Sequence, residues 1–226
     1  MKPASTIGLA NLGPLAQLKA GRLPERVLRL LVGLWLYGLA IALMIEGAVG
    51  ASPWDVFHLG VSRHLPLSFG TVMILAAVGV LLAWVPLRQM PGLGTLANTL
   101  LLGPFAGLNL AWLATPEGLP LRCAYLLAGV VLCAVATALY IGAQLGPGPR
   151  DGLMTGLARR TGWSIRRIRT LIEVTVLVIG VLLGGVVGVG TLVFAFGVGP
   201  LTQFFLRHLV VRLDAPVAVA VEGETR

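Results

Sequence analysis

The sequence predicts an all-α polytopic membrane protein: six transmembrane helices as two inverted three-helix repeats, each with a short interfacial or re-entrant helix after its first span. Three observations carry the prediction. The 226 residues are 57% hydrophobic and only 12% charged, where a soluble domain has about a quarter charged, so much of the surface must face lipid. Six apolar runs approach the ~20 residues that cross a bilayer. The chain also matches itself at an offset of 96 residues.

Residues 1–25 form a basic tail, and the first apolar run follows at Arg26–Ala48. Ser52 to Leu65 is too short and too polar to cross. Ser52-Pro53-Trp54-Asp55 reads as the start of a short helix, with serine at the N-cap, proline at N1 and an acid at N3. Runs at Phe69–Leu87 and Leu93–Ala114 complete a first repeat over 26–114. The second, 115–211, repeats the order: Leu121–Leu145, a short polar segment from Gly148 to Gly162, then Ile168–Val187 and Thr191–Val211. Residues 212–226 are a second tail. The Gly92-Leu93-Gly94-Thr95 and Gly188-Val189-Gly190-Thr191 groups predict tight turns whose threonines cap the following helix. A cleaved signal peptide would also order a basic stretch, an apolar run and small residues. The first run has a partner in the second repeat, however, and is expected to be retained.

With six crossings, 15 of the 17 Lys and Arg residues fall on one side, leaving only Arg63 and Arg122 on the other. The positive-inside rule then puts both tails in the cytoplasm. The net charge of +8 points to the anionic cytoplasmic leaflet as partner, and the lack of a basic face interleaved with aromatics argues against nucleic acid. Cys123 and Cys133 share one apolar stretch and read as packing residues, neither a disulfide nor a metal site.

The self-match places Asp55 on Asp151, Pro53 on Pro149, Gly60 on Gly156, Arg63 on Arg159 and Gly103-Pro104 on Gly199-Pro200. Roughly a third of positions agree over Arg26–Gly107. Three spans per unit invert the second unit relative to the first, which puts Asp55 at the outer face and Asp151 at the inner. Inverted repeats recur in transporters, where exchanging the conformations of two halves gives alternating access. On the two Pro-x-Asp caps and the two Gly-x-Gly-Thr turns, the chain resembles the bacterial YczE/YitT-type family of multi-span membrane proteins. That resemblance implies a bacterial inner-membrane location. Some members are associated with production of secreted lipopeptides, which implies an export or accessory role; no catalytic residue carries over.

The candidate pathway residues are Asp55, Asp151, Glu173, Arg63, Arg159 and Asn98. Asp55 and Asp151 read either as helix caps or as ligands for a cation, a proton or an amine. Glu173, about 14 Å along its helix, is an intramembrane charge suited to proton coupling, or the partner of Arg169 four positions earlier. Arg63 and Arg159 suit lipid headgroups or an anionic ligand, and Asn98 a neighbouring helix or a ligand. Glu46 reads as solvated at the outer end of the first span. His58 and His64, six apart, are poorly spaced for a metal. Gly180, Gly184 and Gly188 form a small-residue stripe for helix packing. No nucleophile elbow, phosphate loop, zinc pair or dinucleotide fingerprint is present, so the expectation is no enzyme, no cofactor and no metal. The function expected is a small-molecule or ion permease with its site between the repeats, with a homo-oligomer compatible with it. The alternative is an accessory protein docking a cytoplasmic biosynthetic or export partner through Arg159, Arg160, Arg166 and Arg167.

Overall fold

A computed structural model describes residues 13–213 and places nine helices among them: α1 (Pro14–Lys19), α2 (Leu23–Gly47), α3 (Pro53–His64), α4 (Phe69–Trp84), α5 (Leu93–Trp112), α6 (Leu119–Gly142), α7 (Pro149–Thr161), α8 (Ile165–Leu182) and α9 (Val189–Leu209). The predicted caps form. Ser52, Ser68 and Ser164 each accept the N–H three residues on, at 3.2, 3.2 and 3.4 Å. Thr95 and Thr191 accept the N–H of Gly92 and Gly188, at 3.1 and 3.4 Å. In both cases a short oxygen-bearing side chain satisfies a donor that the first helical turn leaves unpaired.

Two features bear on the expected layout. Five helices are long and apolar enough to cross a membrane, and α8 is not among them. Its cap at Ser164 starts it before the expected Ile168, which brings Arg166 and Arg167 into an 18-residue helix that already carries Arg169 and Glu173. The 1–25 tail also holds structure, namely α1 and the first residues of α2. Lys2 and Arg226, two of the charges sorted above, lie outside the described residues.

The core is the crossing of α2 and α6. Leu34, Ala40, Met44, Leu126, Val130, Cys133 and Ala134 pack there, with α5 laid on α2 and α9 on α6. Large apolar side chains such as Leu82, Trp112, Leu182 and Phe196 stand on the outside, as lipid as solvent allows. Four helices of one half begin at residues 23, 53, 69 and 93, and four of the other at 119, 149, 165 and 189, the 96-residue offset each time. The short helices cross over, α3 packing on α8 and α7 on α4. One relation differs between the halves: α4 packs along α5, whereas their counterparts α8 and α9 do not pack along each other.

Candidate functional site

The two short helices meet at their starts. Proline at N1 of each fixes the first turn, and at the next position Trp54 and Arg150 stack, the guanidinium carbon 4.5 Å from the ring centroid. The two caps then differ. The Ser52 hydroxyl lies 2.5 Å from Asp55 Oδ2 and donates to it. Gly148 has no hydroxyl, and Asp151 Oδ2 instead accepts from the Tyr140 hydroxyl at 2.7 Å, whose ring stacks on Tyr37 with centroids 6.1 Å apart.

Two cavities flank this junction. The larger, about 200 Å³, is bounded by α2, α3, α5, α6, α7, α8 and α9, with Arg150, Asp151, Arg169, Glu173, Thr202 and Gln203 among its polar lining. The smaller, about 30 Å³, lies among α3, α4, α5 and the start of α7. Trp54, Asn98, Leu102, Pro149 and Arg150 belong to both walls and form the partition. The cavities are equivalent by position in the repeats. Trp54, His58, Met73, Ala77, Asn98, Leu102 and Gly103 of the smaller correspond at the 96-residue offset to Arg150, Met154, Arg169, Glu173, Phe194, Val198 and Gly199 of the larger. The size difference follows the packing difference: α4 is closed onto α5, and α8 stands away from α9.

Of the six predicted residues, Asp151, Glu173 and Asn98 line the larger cavity. Glu173 accepts from Arg169 Nε at 2.8 Å. Asn98 is 8% exposed, and its side chain makes no hydrogen bond among the described residues. Asp55, 1% exposed, sits behind the wall, its Oδ1 3.8 Å from His58 Nδ1, too far for a hydrogen bond. Burial pushes the His58 imidazole below its ordinary pKa, against the opposing pull of Asp55. Asp55 and Asp151 were expected at opposite faces; the structure brings the two segments that carry them together, because the Trp54–Arg150 stack joins the helix starts. Arg63 and Arg159 stand apart from the cavities. Arg63 donates to the Gly184 carbonyl in the α8–α9 turn, and Arg159 is exposed on α7. Sequence reasoning missed Trp54, Tyr140 and Arg150 as site residues. The offset that aligns Trp54 with Arg150 was the available signal: two bulky, chemically unlike groups at the same position of two caps.

Fold and site together define a multi-pass helical membrane protein with a cavity, lined by both apolar and charged groups, where its two halves meet. The chain belongs to the family described as a family of unknown function, DUF6198, whose model matches residues 24–207. It is similar to an uncharacterized protein of Haemophilus influenzae, 39% identical over 184 residues covering 81% of this chain and 84% of that one. It is 34% identical over 191 residues to the uncharacterized membrane protein YczE of Bacillus subtilis, covering 82% and 87%. A second Bacillus subtilis protein, the uncharacterized YyaS, is 29% identical over 187 residues, covering 77% and 89%. The expected YczE-type relationship thus holds. No solved structure matches.

Proposed function

We propose that this protein is a permease working by alternating access, and that it is captured open on one side. The observation that carries the reading is the pair of positionally equivalent cavities, about 200 and 30 Å³, separated by the Trp54–Arg150–Asn98 partition. In an inverted repeat, exchanging the conformations of the halves moves the open cavity to the other face. On this reading α8 crosses despite its charges, because Arg169 and Glu173 face the cavity rather than lipid. That gives six spans, inverted halves, re-entrant α3 and α7, and both tails in the cytoplasm of a bacterial inner membrane. The larger cavity is then the cytoplasmic one, since Thr137, Tyr140 and Ile141 of its wall lie in the last turns of α6, which on this reading ends on the cytoplasmic side.

Sidedness tests this directly. Arg63→Cys and Arg159→Cys, equivalent exposed positions, are introduced separately in a background lacking Cys123 and Cys133, with Thr202→Cys as a third probe. An impermeant maleimide should label Arg63→Cys from outside, and the other two from the cytoplasmic side. Labelling of Arg63→Cys and Arg159→Cys from the same side would remove the inversion and the exchange mechanism with it.

A second reading, an accessory protein that docks a cytoplasmic partner, is favoured by one feature: Arg159, Arg160, Arg166 and Arg167 are all exposed around the α7–α8 turn.

A further inference from the structure

We propose that the cavity wall at the start of α7 binds a small zwitterion, an ammonium and an oxyanion on one short scaffold, as in a free amino acid. This deepens the permease reading and rests on it for the transport step alone. Arg150 and Asp151 occupy successive positions at the start of α7 and both line the larger cavity. Among the described residues neither forms an ion pair, with the other or with a third group. A lone anion would meet the Asp151 carboxylate, and a lone cation would meet the Arg150 guanidinium. A molecule bearing both charges pairs with each.

Neutral groups around the two charges fit the same ligand. Asn98, 8% exposed, faces the cavity without a hydrogen-bond partner among the described residues. Trp54 Nε1 is likewise buried and unpartnered among them. A Cβ added to Gly148 would stand 3.2 Å from both Asp151 Oδ2 and the Tyr140 hydroxyl, and 3.6 Å from Asn98 Nδ2. These groups therefore gather around Gly148, itself part of the cavity wall, where a larger residue would crowd them. Amide and guanidinium N–H groups beside a helix N-terminus suit an oxyanion. Asp151 Oδ1, which accepts no hydrogen bond among the described residues, suits the ammonium. The repeats differ in which of the two equivalent acids reaches the cavity: each has one carboxylate oxygen accepting from a hydroxyl, of Ser52 or of Tyr140, but Asp55 is 1% exposed and outside the lining, whereas Asp151 is part of it.

Calorimetric titration of the purified full chain in maltoside micelles, free of zwitterionic lipid, tests this. The probes are glycine, L-alanine, L-glutamine and glycerophosphoethanolamine, with propionate and propylamine carrying one charge each. At least one zwitterion should bind saturably, at least about tenfold more tightly than either single-charge probe, the loss expected when one charge-assisted contact is missing. Preference for an amino acid identifies a free solute, and preference for the phosphodiester identifies a lipid headgroup; both support the site. Arg150→Gln and Asp151→Asn should each weaken binding by about tenfold or more, while exposed Arg166→Gln leaves it unchanged. Equal binding of propionate or propylamine, or no binding by any zwitterion to wild-type protein that elutes as a single species, would overturn the proposal without reliance on any variant's folding. Zwitterion binding without flux in proteoliposomes would leave the site standing and remove the permease. Flux of another solute without zwitterion binding would do the reverse.

Discussion

Alanine at Gly103 and alanine at Gly199, equivalent positions on α5 and α9, should drive the protein in opposite directions. Gly103 lies against Gly70 of α4: a Cβ on Gly70 would stand 2.5 Å from the Gly103 carbonyl oxygen, and a Cβ on Gly103 would meet the Gly70 oxygen closer still. Both obstacles are backbone, so relief requires parting α4 from α5. Gly199 has nothing within 4 Å of an added Cβ. Overpacking costs about 1–3 kcal/mol, and in Gly103→Ala that cost falls only on the state with α4 closed on α5. At tenfold per 1.4 kcal/mol, the ratio of the two states shifts about 5- to 150-fold toward the exchanged one. Gly199→Ala costs nothing in the state seen here and a similar amount in a state that closes α8 on α9. The assay is the labelling rate of Ala77→Cys in the smaller cavity and Thr202→Cys in the larger, without Cys123 and Cys133. Gly103→Ala should speed the first and slow the second; Gly199→Ala should do the opposite. The same direction of change in both, or no change in either, would refute the exchange mechanism.

Other perturbations separate structural from functional charge. Arg26, fully buried, donates to the carbonyls of Ala143, Gln17 and Gln144 at 2.8, 2.6 and 2.7 Å; Arg26→Leu should cost about 4 kcal/mol or more in detergent unfolding, from charged hydrogen bonds lost and acceptors left unpaired, and a cost under ~1 kcal/mol would show that the contacts carry little stability. Glu173→Gln breaks a partly exposed pair with Arg169, so the loss of stability should stay within ~1 kcal/mol while flux changes; parallel loss of both would return the pair to a structural role. Neutralising Arg159, Arg160, Arg166 and Arg167 together should leave flux intact once sidedness is verified, and loss of a cytoplasmic partner from a protein without flux would favour docking instead. Because burial lowers the folded-state pKa of His58, its contribution to stability is full above the ordinary value of about 6.5 and is lost as pH falls toward the lowered one. Thermal unfolding from pH 8 to 5 should decline more steeply in wild type than in His58→Asn, and equal slopes would count against that assignment.

The helix starts were legible because they are local. A serine, a proline at N1 and an acid at N3 specify a cap within four residues, and the 96-residue offset then carries each boundary from one half to the other. The site was legible only in part, because its geometry depends on contacts the offset does not encode. Asp55 and Asp151 are the same residue at the same cap, yet one is held by Ser52 and the other is left to Tyr140, a residue of the preceding span. In the sequence Arg26 reads only as the basic residue that opens the first apolar run. Its burial arises just past the end of α6, where the carbonyls of Ala143 and Gln144 accept from a guanidinium suited to the negative end of the helix dipole. For α8, charge outweighed periodicity: four ionisable residues in its first nine positions place it below the apolar content of a lipid-facing span; Arg169 and Glu173 point to the cavity beside it, and Arg166 and Arg167 stay exposed at the α7–α8 turn.

On the permease reading, that placement bears on the proposed cycle. The smaller cavity on the closed side is lined by Met73 and Ala77, apolar groups that lose only water as α4 lies on α5. Their counterparts on the open side are Arg169 and Glu173, so closing α8 onto α9 must take an ion pair out of solvent. The effective cost is several kcal/mol per ion before the pair's own attraction is counted. If the protein alternates as proposed, its two states would be unequal in energy, and the open cavity would be the state that keeps the pair hydrated. Closure then needs a compensating term from the cavity itself. A zwitterion seated on Arg150 and Asp151, whose charges would otherwise also be desolvated unpaired, supplies one, and this ties the movement of α8 to occupancy of the site.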